Sequence, residues 1–273
     1  MATVNANGIE LYYEVHGAGE PLLLIMGLGG TAATWDPQIP AFSREYQVIA
    51  FDNRGSGRSE MPAHPYSVHL MADDTAALMD ELGIQTANVF GMSMGGMIAQ
   101  ELYHRHGARV RTLMLAGTMA GGPMATFPNA ARLQQFAGVR AMLPAAAVEA
   151  GLSFFYSEEF IARNKQRLIK RALEQLHLVA PAQSLQKQLM AVLGFNAHGR
   201  LHNIRVPTLV MGGTEDKIVP FKNQEMLAKH IPDARFVTFH GAGHGFLFER
   251  AEAVNRAVLS FLGEHRTHFV SAK

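Results

Sequence analysis

The amino-acid sequence predicts an α/β fold with a mostly parallel central sheet. Apolar runs of strand length recur along the chain, and segments with helical spacing separate them. Strands that alternate with helices are typical of a parallel sheet that is covered by helices on both faces. A hairpin signal near the amino end predicts that one edge of this sheet is antiparallel.

The hairpin and the strands are predicted from local signals. The dipeptide Asn7-Gly8, a strong turn signal, separates Thr3-Val4 from the apolar segment 9–15. The later apolar runs are unbroken, as expected of strands that are buried on both faces. These predicted strands are residues 21–26, 48–51, 87–90, 113–116 and 208–211, with 235–239 as a last candidate.

Helical patterns lie between these runs. One helix is predicted from Met71 to Leu82, where residues of one face recur at i, i+4, i+7 and i+11, and Gly83 ends it. Further predicted helices follow Ser93 up to Gly107 and span residues 221–231 and 252–262.

Residues 119–204 do not fit the alternation. They are rich in Ala, Leu, Gln and Phe with helical spacing, and they contain few β-branched residues. Because this stretch is far longer than a usual crossover, we interpret it as a helical cap inserted into a core of residues 1–118 and 205–273. The alternative is that its helices pack on the sheet as ordinary crossovers.

The composition excludes several classes of function. The 273 residues carry a formal net charge of +1 and no basic run, which argues against a nucleic-acid partner. The absence of cysteine excludes disulfides, thiolate metal sites and a cysteine nucleophile. We expect no metal site. We also expect no membrane partner, because no apolar stretch approaches the ~20 residues of a membrane span. The amino end lacks the features of a signal peptide, so we expect a cytoplasmic protein.

The pentapeptide Gly91-Met92-Ser93-Met94-Gly95 lies between a predicted strand and a predicted helix. In this context the pattern G-x-S-x-G indicates a nucleophile elbow, a tight turn that holds the serine in a strained backbone conformation. Glycine on either side leaves room for the strand and the helix to approach each other. Ser93 is therefore the candidate nucleophile.

A serine nucleophile needs a general base that is oriented by a carboxylate. Asp216 follows a predicted strand, at the sheet edge where catalytic groups of open α/β sheets lie, and Glu215 is its neighbouring competitor. The alternative role for Asp216 is to cap the next helix. His244, in a glycine-rich loop after the last predicted strand, is the candidate base, whereas we interpret His240 as a packing or surface residue.

Two backbone N–H groups are candidates for an oxyanion hole. Met94 follows the nucleophile at the amino end of a helix, and Leu28 lies in a glycine-rich turn after the first parallel strand. A phosphate-binding turn is the alternative for this second loop, but the sequence has neither G-x-G-x-x-G nor a following Lys.

The segment 52–59 contains two arginines and two glycines after a predicted strand. Either Arg54 or Arg58 contacts an anionic ligand, or the segment is structural. We favour the structural interpretation, in which the glycines shape a turn and Arg54 binds loop carbonyl groups.

Taken together, these motifs resemble those of the α/β-hydrolase superfamily. The matching segments are 91–96, 52–57, Asp216 with Val219-Pro220, and Gly243-His244. The chain is most similar to the bacterial branch that holds 3-oxoadipate enol-lactonases, small carboxylesterases and cofactor-free non-haem peroxidases. This resemblance implies a Ser93–His244–Asp216 triad and no cofactor. Many relatives carry His-Gly before the oxyanion residue, whereas this chain has Met26-Gly27.

The sequence thus predicts a serine hydrolase that cleaves a small to medium, largely apolar carboxylic ester or lactone through an acyl-enzyme. A C–C bond hydrolase and a perhydrolase use the same triad, and a non-catalytic ligand-binding protein is the alternative from another class. The sequence does not reveal the oligomeric state, and a homodimer is one possibility. Residues predicted to line the substrate pocket are Gly27, Met92, Met119, Phe127, Phe155 and Phe246, with Phe136 as a further cap aromatic.

Overall fold

An eight-stranded sheet forms the centre of the molecule. The computed structural model describes residues 2–132, 134–135 and 144–266. The strands are β1 (Ala2–Ala6), β2 (Ile9–His16), β3 (Glu20–Ile25), β4 (Tyr46–Phe51), β5 (Ala87–Met92), β6 (Val110–Ala116), β7 (Thr208–Gly213) and β8 (Arg235–Phe239). Their order in the sheet is β1-β2-β4-β3-β5-β6-β7-β8. The strands from β4 to β8 in this order are parallel, which confirms the predicted fold class.

The antiparallel hairpin lies at one edge, as predicted. Strand β1 pairs with β2 in a register that places Ala6 opposite Ile9, and β2 pairs antiparallel with β4. Asn7 and Gly8 have φ angles of 53° and 75°. A two-residue hairpin loop of type I′ requires positive φ at both positions, so the Asn-Gly pair suits this turn.

Helices cover both faces of the sheet. The helices with described bounds, including those that do not pack on the sheet, are α1 (Ile39–Phe42), α2 (Val68–Glu81), α3 (Met94–His106), α4 (Pro144–Phe155), α5 (Glu158–Glu174), α6 (Ala182–Leu193), α7 (Lys222–His230), α8 (Phe246–Glu249) and α9 (Ala251–Glu264). Helices α2, α3 and α7 pack on one apolar core, and α1 and α9 pack on the other.

The unbroken apolar runs follow from this double coverage. In β3, Leu23 and Ile25 point into the core beneath α2 and α3, whereas Leu22 and Leu24 point into the core beneath α9. Because successive side chains of a strand face opposite sides of the sheet, a strand covered on both faces is apolar at every position.

Helices α4, α5 and α6 lie in the chain between β6 and β7, within the stretch predicted to be a cap. Helix α4 packs on α5. The division of the chain into a core and a cap remains a prediction, and residues 133, 136–143 and 267–273 lie outside the described part of the chain. Among the described helices, none has the length and apolar character needed to span a bilayer.

Candidate active site

Ser93 occupies the sharp turn between β5 and α3. Its backbone angles are φ 56° and ψ −122°, a combination that is strained for a residue with a side chain. Hydrogen bonds fix the residue on both sides: its N–H donates to the carbonyl of Ala116 at 2.9 Å, and its carbonyl accepts from Thr118 Oγ1 at 2.6 Å. Ser93 is partly exposed, whereas its neighbours Met92 and Met94 are buried.

The glycines of the pentapeptide allow the close approach of strand and helix. A Cβ atom on Gly91 would lie 2.3 Å from the carbonyl oxygen of Gly95. A Cβ atom on Gly95 would lie 1.9 Å from the carbonyl oxygen of Ile25 in the neighbouring strand. Both distances are far below any real contact, so a side chain at either position would push α3 away from the sheet and misplace Ser93.

His244 and Asp216 form a buried pair. The distance between His244 Nδ1 and Asp216 Oδ2 is 2.6 Å, and the side chains are only 6% and 0% exposed. A carboxylate can only accept hydrogen bonds, so Nδ1 carries the hydrogen and Nε2 is left as the basic nitrogen. Glu215 and His240, the neighbouring alternatives, are both exposed.

The second carboxylate oxygen of Asp216 also accepts hydrogen bonds. Its Oδ1 accepts hydrogen bonds from the N–H groups of Ile218 and Val219, each at 2.8 Å. This local turn holds the carboxylate in one orientation. It does not cap α7, since the residue before that helix is Phe221.

Gly117 connects the serine and the histidine. It follows Ala116, whose carbonyl binds the N–H of Ser93. A Cβ atom on Gly117 would lie 3.4 Å from His244 Cε1 and 2.9 Å from the methyl carbon of Met92. The imidazole therefore lies over the end of β6, beside the turn that carries Ser93. Both groups are at the carboxyl ends of parallel strands, the usual location of sites in such sheets.

The predicted oxyanion loop is a tight turn in contact with Ser93. The N–H of Gly30 donates to the carbonyl of Gly27 at 3.0 Å, and Gly29 has a φ of 70°, which defines a type II turn. A Cβ atom on Gly27 would lie 3.3 Å from Ser93 Oγ. The turn does not use the N–H of Leu28, its second residue.

The other predicted donor, Met94, is the first residue of α3. Its N–H has no carbonyl partner within the helix. The partial positive charge at the amino end of a helix also favours an anion at this place. Leu28, in the loop after β3, and Met94, at the start of α3, thus remain the predicted donors of an oxyanion hole.

Two residues that sequence reasoning missed, Glu249 and Ser157, hold the loop of His244 together with the backbone of Phe155. Glu249 Oε2 accepts hydrogen bonds from the N–H of Gly243 at 3.1 Å and of Ser157 at 3.3 Å, and Ser157 Oγ bonds to Oε1. The N–H of Gly245 donates to the carbonyl of Phe155 at 2.6 Å. Both neighbours of His244 are therefore fixed. No sequence signal identifies Glu249, because a glutamate in a short helix is typical of a surface residue.

The segment 52–59 is structural, but its contacts differ from those predicted. Arg54 does not bind loop carbonyls; it forms a buried ion pair with Asp74 of α2, with Nη2 and Oδ1 at 2.5 Å. Arg58 Nε donates to Asp52 Oδ2 at 2.9 Å. Because both cations are paired with carboxylates of the protein, neither is held ready for an anionic ligand.

The predicted pocket residues differ in their burial and in their distance from His244. The ring of Phe155, which is 39% exposed, lies 6.2 Å from the His244 ring. The prediction that Phe246 lines the pocket is wrong. This residue is fully buried and stacks on Phe239 with a ring distance of 5.1 Å, so it belongs to the core. Met119 is buried beside α3, and Phe127 is 45% exposed on the segment after β6. Phe136 lies outside the described residues.

Comparison with known proteins agrees with this fold. A family model described as the alpha/beta hydrolase fold matches residues 20–251. The "Putative carbamate hydrolase RutD" of Azorhizobium caulinodans is 34% identical over 267 residues, which cover 97% of this chain and 99% of that relative.

Solved structures agree as well. An enol-lactonase from Burkholderia xenovorans LB400 has a TM-score of 0.85 at 28% identity, with 96% of this chain and 100% of that chain covered. A thermophilic esterase from Thermogutta terrifontis has a TM-score of 0.83 at 28% identity, with 97% and 98% covered. The resemblance inferred from the motifs is confirmed, and the chain belongs to the α/β-hydrolase family.

Proposed function

We propose that this protein is a serine hydrolase that cleaves a carboxylic ester or lactone through a covalent acyl-enzyme. The observation that carries the proposal is the strained Ser93, whose N–H and carbonyl are both held by hydrogen bonds and which lies beside the buried His244–Asp216 pair. A serine hydroxyl becomes a nucleophile only beside an oriented base, and this arrangement supplies one.

The reaction follows from the roles of these groups. Ser93 Oγ attacks the carbonyl carbon while His244 Nε2 takes the hydroxyl proton, and the N–H groups of Leu28 and Met94 stabilise the resulting oxyanion. Collapse breaks the bond to the leaving alkoxide, which receives the proton from His244. Water then attacks the acyl-enzyme with His244 again acting as base, and the acid and the free Ser93 are released. Asp216 keeps the imidazole in the required tautomer.

The surroundings of the proposed triad favour an apolar small molecule. Phe155 presents a partly exposed ring to His244, and the Met92 methyl group contacts the same region. Aromatic and thioether side chains adapt to apolar groups of various shapes. We propose a small to medium ester or lactone as substrate, with no cofactor.

Carbamate hydrolysis is the second candidate. The observation that favours it is the name of relatives that match almost the whole chain, such as the protein from Azorhizobium caulinodans. A carbamate carbonyl is open to the same serine attack, and the group that leaves, an alkoxide or an amine, then takes the proton of His244.

The test is hydrolysis of p-nitrophenyl esters from acetate to decanoate by the wild type and by Ser93→Ala. We expect the variant to lose at least about 10³-fold in kcat, because only oxyanion binding and substrate binding remain. The matched control is Ser153→Ala, which removes an exposed hydroxyl on α4 and should leave turnover unchanged. The chain-length optimum would measure the size of the pocket.

A fluorophosphonate probe distinguishes the remaining outcomes. Ser93-dependent labelling without ester turnover would favour a carbamate, a C–C substrate or a perhydrolase reaction, which can be assayed by ammonia release, dienol cleavage and halide oxidation. Ester turnover that survives in Ser93→Ala would disprove the acyl-enzyme. Absence of both labelling and turnover would favour a binding role.

A further inference from the structure

Gln188 of α6 is a buried amide that contacts two loops of the sheet. The residue is 0% exposed. Its Oε1 accepts a hydrogen bond from the N–H of Gly29 at 2.8 Å, and its Nε2 donates to the carbonyl of Arg54 at 2.8 Å and to Ser56 Oγ at 2.9 Å. One side chain thus joins the cap region to the loops that follow β3 and β4.

The contacts leave only one orientation for this amide. The N–H of Gly29 needs an acceptor and the carbonyl of Arg54 needs a donor, so the oxygen and the nitrogen of Gln188 cannot exchange places. A buried amide is tolerated only when its polar atoms are satisfied, and both atoms of Gln188 are. The side chain is therefore held rigidly.

Gly29 is the third residue of the turn that carries Leu28. Turns of type I and type II differ by a flip of the peptide between their second and third residues. The hydrogen bond from Gly29 to Gln188 fixes that peptide in the orientation of the type II turn. Helix α6 also packs directly on the turn, since a Cβ atom on Gly29 would lie 2.6 Å from Leu185 Cδ2.

We propose that Gln188 is a positioning residue for the oxyanion hole. It holds the peptide that follows Leu28 from the side of α6 and so fixes the position of the 27–30 turn. The Leu28 N–H, the proposed oxyanion donor, belongs to the preceding peptide of the same turn, whose first residue contacts Ser93. This inference rests on the proposed function, because it assigns Gln188 an effect on the transition state of that reaction. Gln188 does not itself touch the substrate.

The neighbouring residue on α6 provides a matched control. Lys187 also joins α6 to the sheet loops, with Nζ donating to the carbonyls of Pro62 at 2.9 Å and Ala63 at 2.7 Å. It makes no contact with the oxyanion turn among the hydrogen bonds of the described residues. Gln188→Met and Lys187→Met thus each remove cap-to-core hydrogen bonds with an unbranched apolar side chain, but only the first releases Gly29.

The experiment compares the two variants on p-nitrophenyl acetate. We expect Gln188→Met to lower kcat by about 10- to 100-fold with KM changed less than about threefold, since loss of one oxyanion donor costs about 10²- to 10³-fold. Lys187→Met should leave both constants within about threefold of the wild type. Far-ultraviolet circular dichroism at the assay temperature would verify that both variants are folded.

A transition-state analogue provides a readout that a purely structural role would not change. The affinity for an alkyl trifluoromethyl ketone, which forms a tetrahedral adduct with an oxyanion, should fall in Gln188→Met by the same factor as kcat/KM. A kcat within threefold of Lys187→Met, or a lower kcat with unchanged ketone affinity, would overturn the inference. A wild type with no Ser93-dependent turnover would instead overturn the proposed function, and the role of Gln188 with it.

Gln188→Glu decides the question if the methionine variant does not fold. Its carboxylate still accepts the N–H of Gly29 and the hydroxyl of Ser56, but it cannot donate to the carbonyl of Arg54. We expect its kcat to stay within about tenfold of the wild type. A folded Gln188→Glu protein with a larger loss would contradict the importance of the Gly29 contact.

Discussion

At the scale of single residues, the candidate site depends on buried side chains that fix backbone groups. Asp216 holds His244 and two N–H groups of its own loop. Glu249 holds the residue before His244 and joins it to Ser157, at the start of α5. Because these contacts are shielded from water, loss of a single acceptor leaves donors without partners, and each such donor is costly.

This arrangement predicts the effect of substitutions at Glu249. We expect Glu249→Met to lower the free energy of unfolding by about 1 to 3 kcal/mol, because the N–H groups of Gly243 and Ser157 lose their acceptor. Turnover should also fall, since the loop of His244 is loosened. Glu249→Gln should retain most of both, because its oxygen accepts both N–H groups while its amide donates to Ser157 Oγ.

Urea unfolding and ester hydrolysis measure these effects. Glu252→Gln is the control, since this glutamate of α9 is 94% exposed and forms only a loose pair with Arg256 at 3.7 Å. It should stay within about 0.5 kcal/mol of the wild type. A Glu249→Met protein as stable as the control would show that the network contributes little.

At the scale of elements, α3 both carries the serine and contains a titratable group. Its first residues form the proposed oxyanion site, and its third turn contains His104, whose Nε2 is buried without a hydrogen-bond partner among the described residues. The pKa of His104 is lowered from 6.5 to about 4, mainly by burial and also by the charge of Arg200, while Glu101 opposes the shift. The ring is therefore neutral in the folded protein at neutral pH.

The pKa of His104 predicts an acid-sensitive stability. Between pH 6.5 and about 4, the unfolded chain binds a proton at His104 that the folded protein does not bind. The contribution of neutral His104 to the free energy of unfolding is therefore fully present above pH 6.5 and is lost as the pH is lowered toward 4. Because solvent screens this partly exposed group, we expect a slope of up to about 1 kcal/mol per pH unit.

Urea unfolding at several pH values would measure this slope. We expect His104→Gln to be less sensitive to acid than the wild type, because glutamine stays neutral throughout. His240→Gln, which changes an exposed histidine, should keep the wild-type slope. Equal slopes for the wild type and His104→Gln would refute the assignment.

At the scale of the whole molecule, helices between β6 and β7 form hydrogen bonds and an ion pair with loops that connect the strands of the sheet. Arg171 of α5 pairs with Asp36 and donates to the carbonyl of Thr34 at 3.1 Å. Gln188 of α6 binds Gly29, and the N–H of Ser157 binds Glu249. These contacts come from widely separated points of the chain, so we expect the helices to unfold together with the sheet.

A fluorescence measurement tests this cooperativity. The only tryptophan of the sequence, Trp35, is fully buried against Phe90 at a ring distance of 4.9 Å and reports on the sheet side of the molecule. Its unfolding curve in urea should coincide with that of far-ultraviolet circular dichroism, to which α4 to α6 contribute strongly. Arg171→Ala should shift both curves together; two separated transitions would show that helices α4 to α6 unfold independently of the sheet.

The sequence by itself determined the features that depend on local pattern. Alternating runs and helical spacing predicted the sheet, and Asn7-Gly8 predicted the edge hairpin, because positive φ at both positions is a local requirement. The nucleophile elbow around Ser93 was predicted from a local pattern as well, because G-x-S-x-G between a strand and a helix specifies a tight turn. Asp216 and His244 were selected by their loop positions, and the structure pairs them.

Only the tertiary structure decided the contacts between distant segments. The partner of Arg54 is Asp74, Glu249 lies beneath the His244 loop, and Gln188 meets Gly29 across 159 positions of the chain. A phenylalanine suits either a pocket or a core, and only the packing of Phe246 on Phe239 shows that it belongs to the core. Local patterns specify backbone conformation and burial, whereas long-range partners depend on how whole elements pack, which no local pattern records.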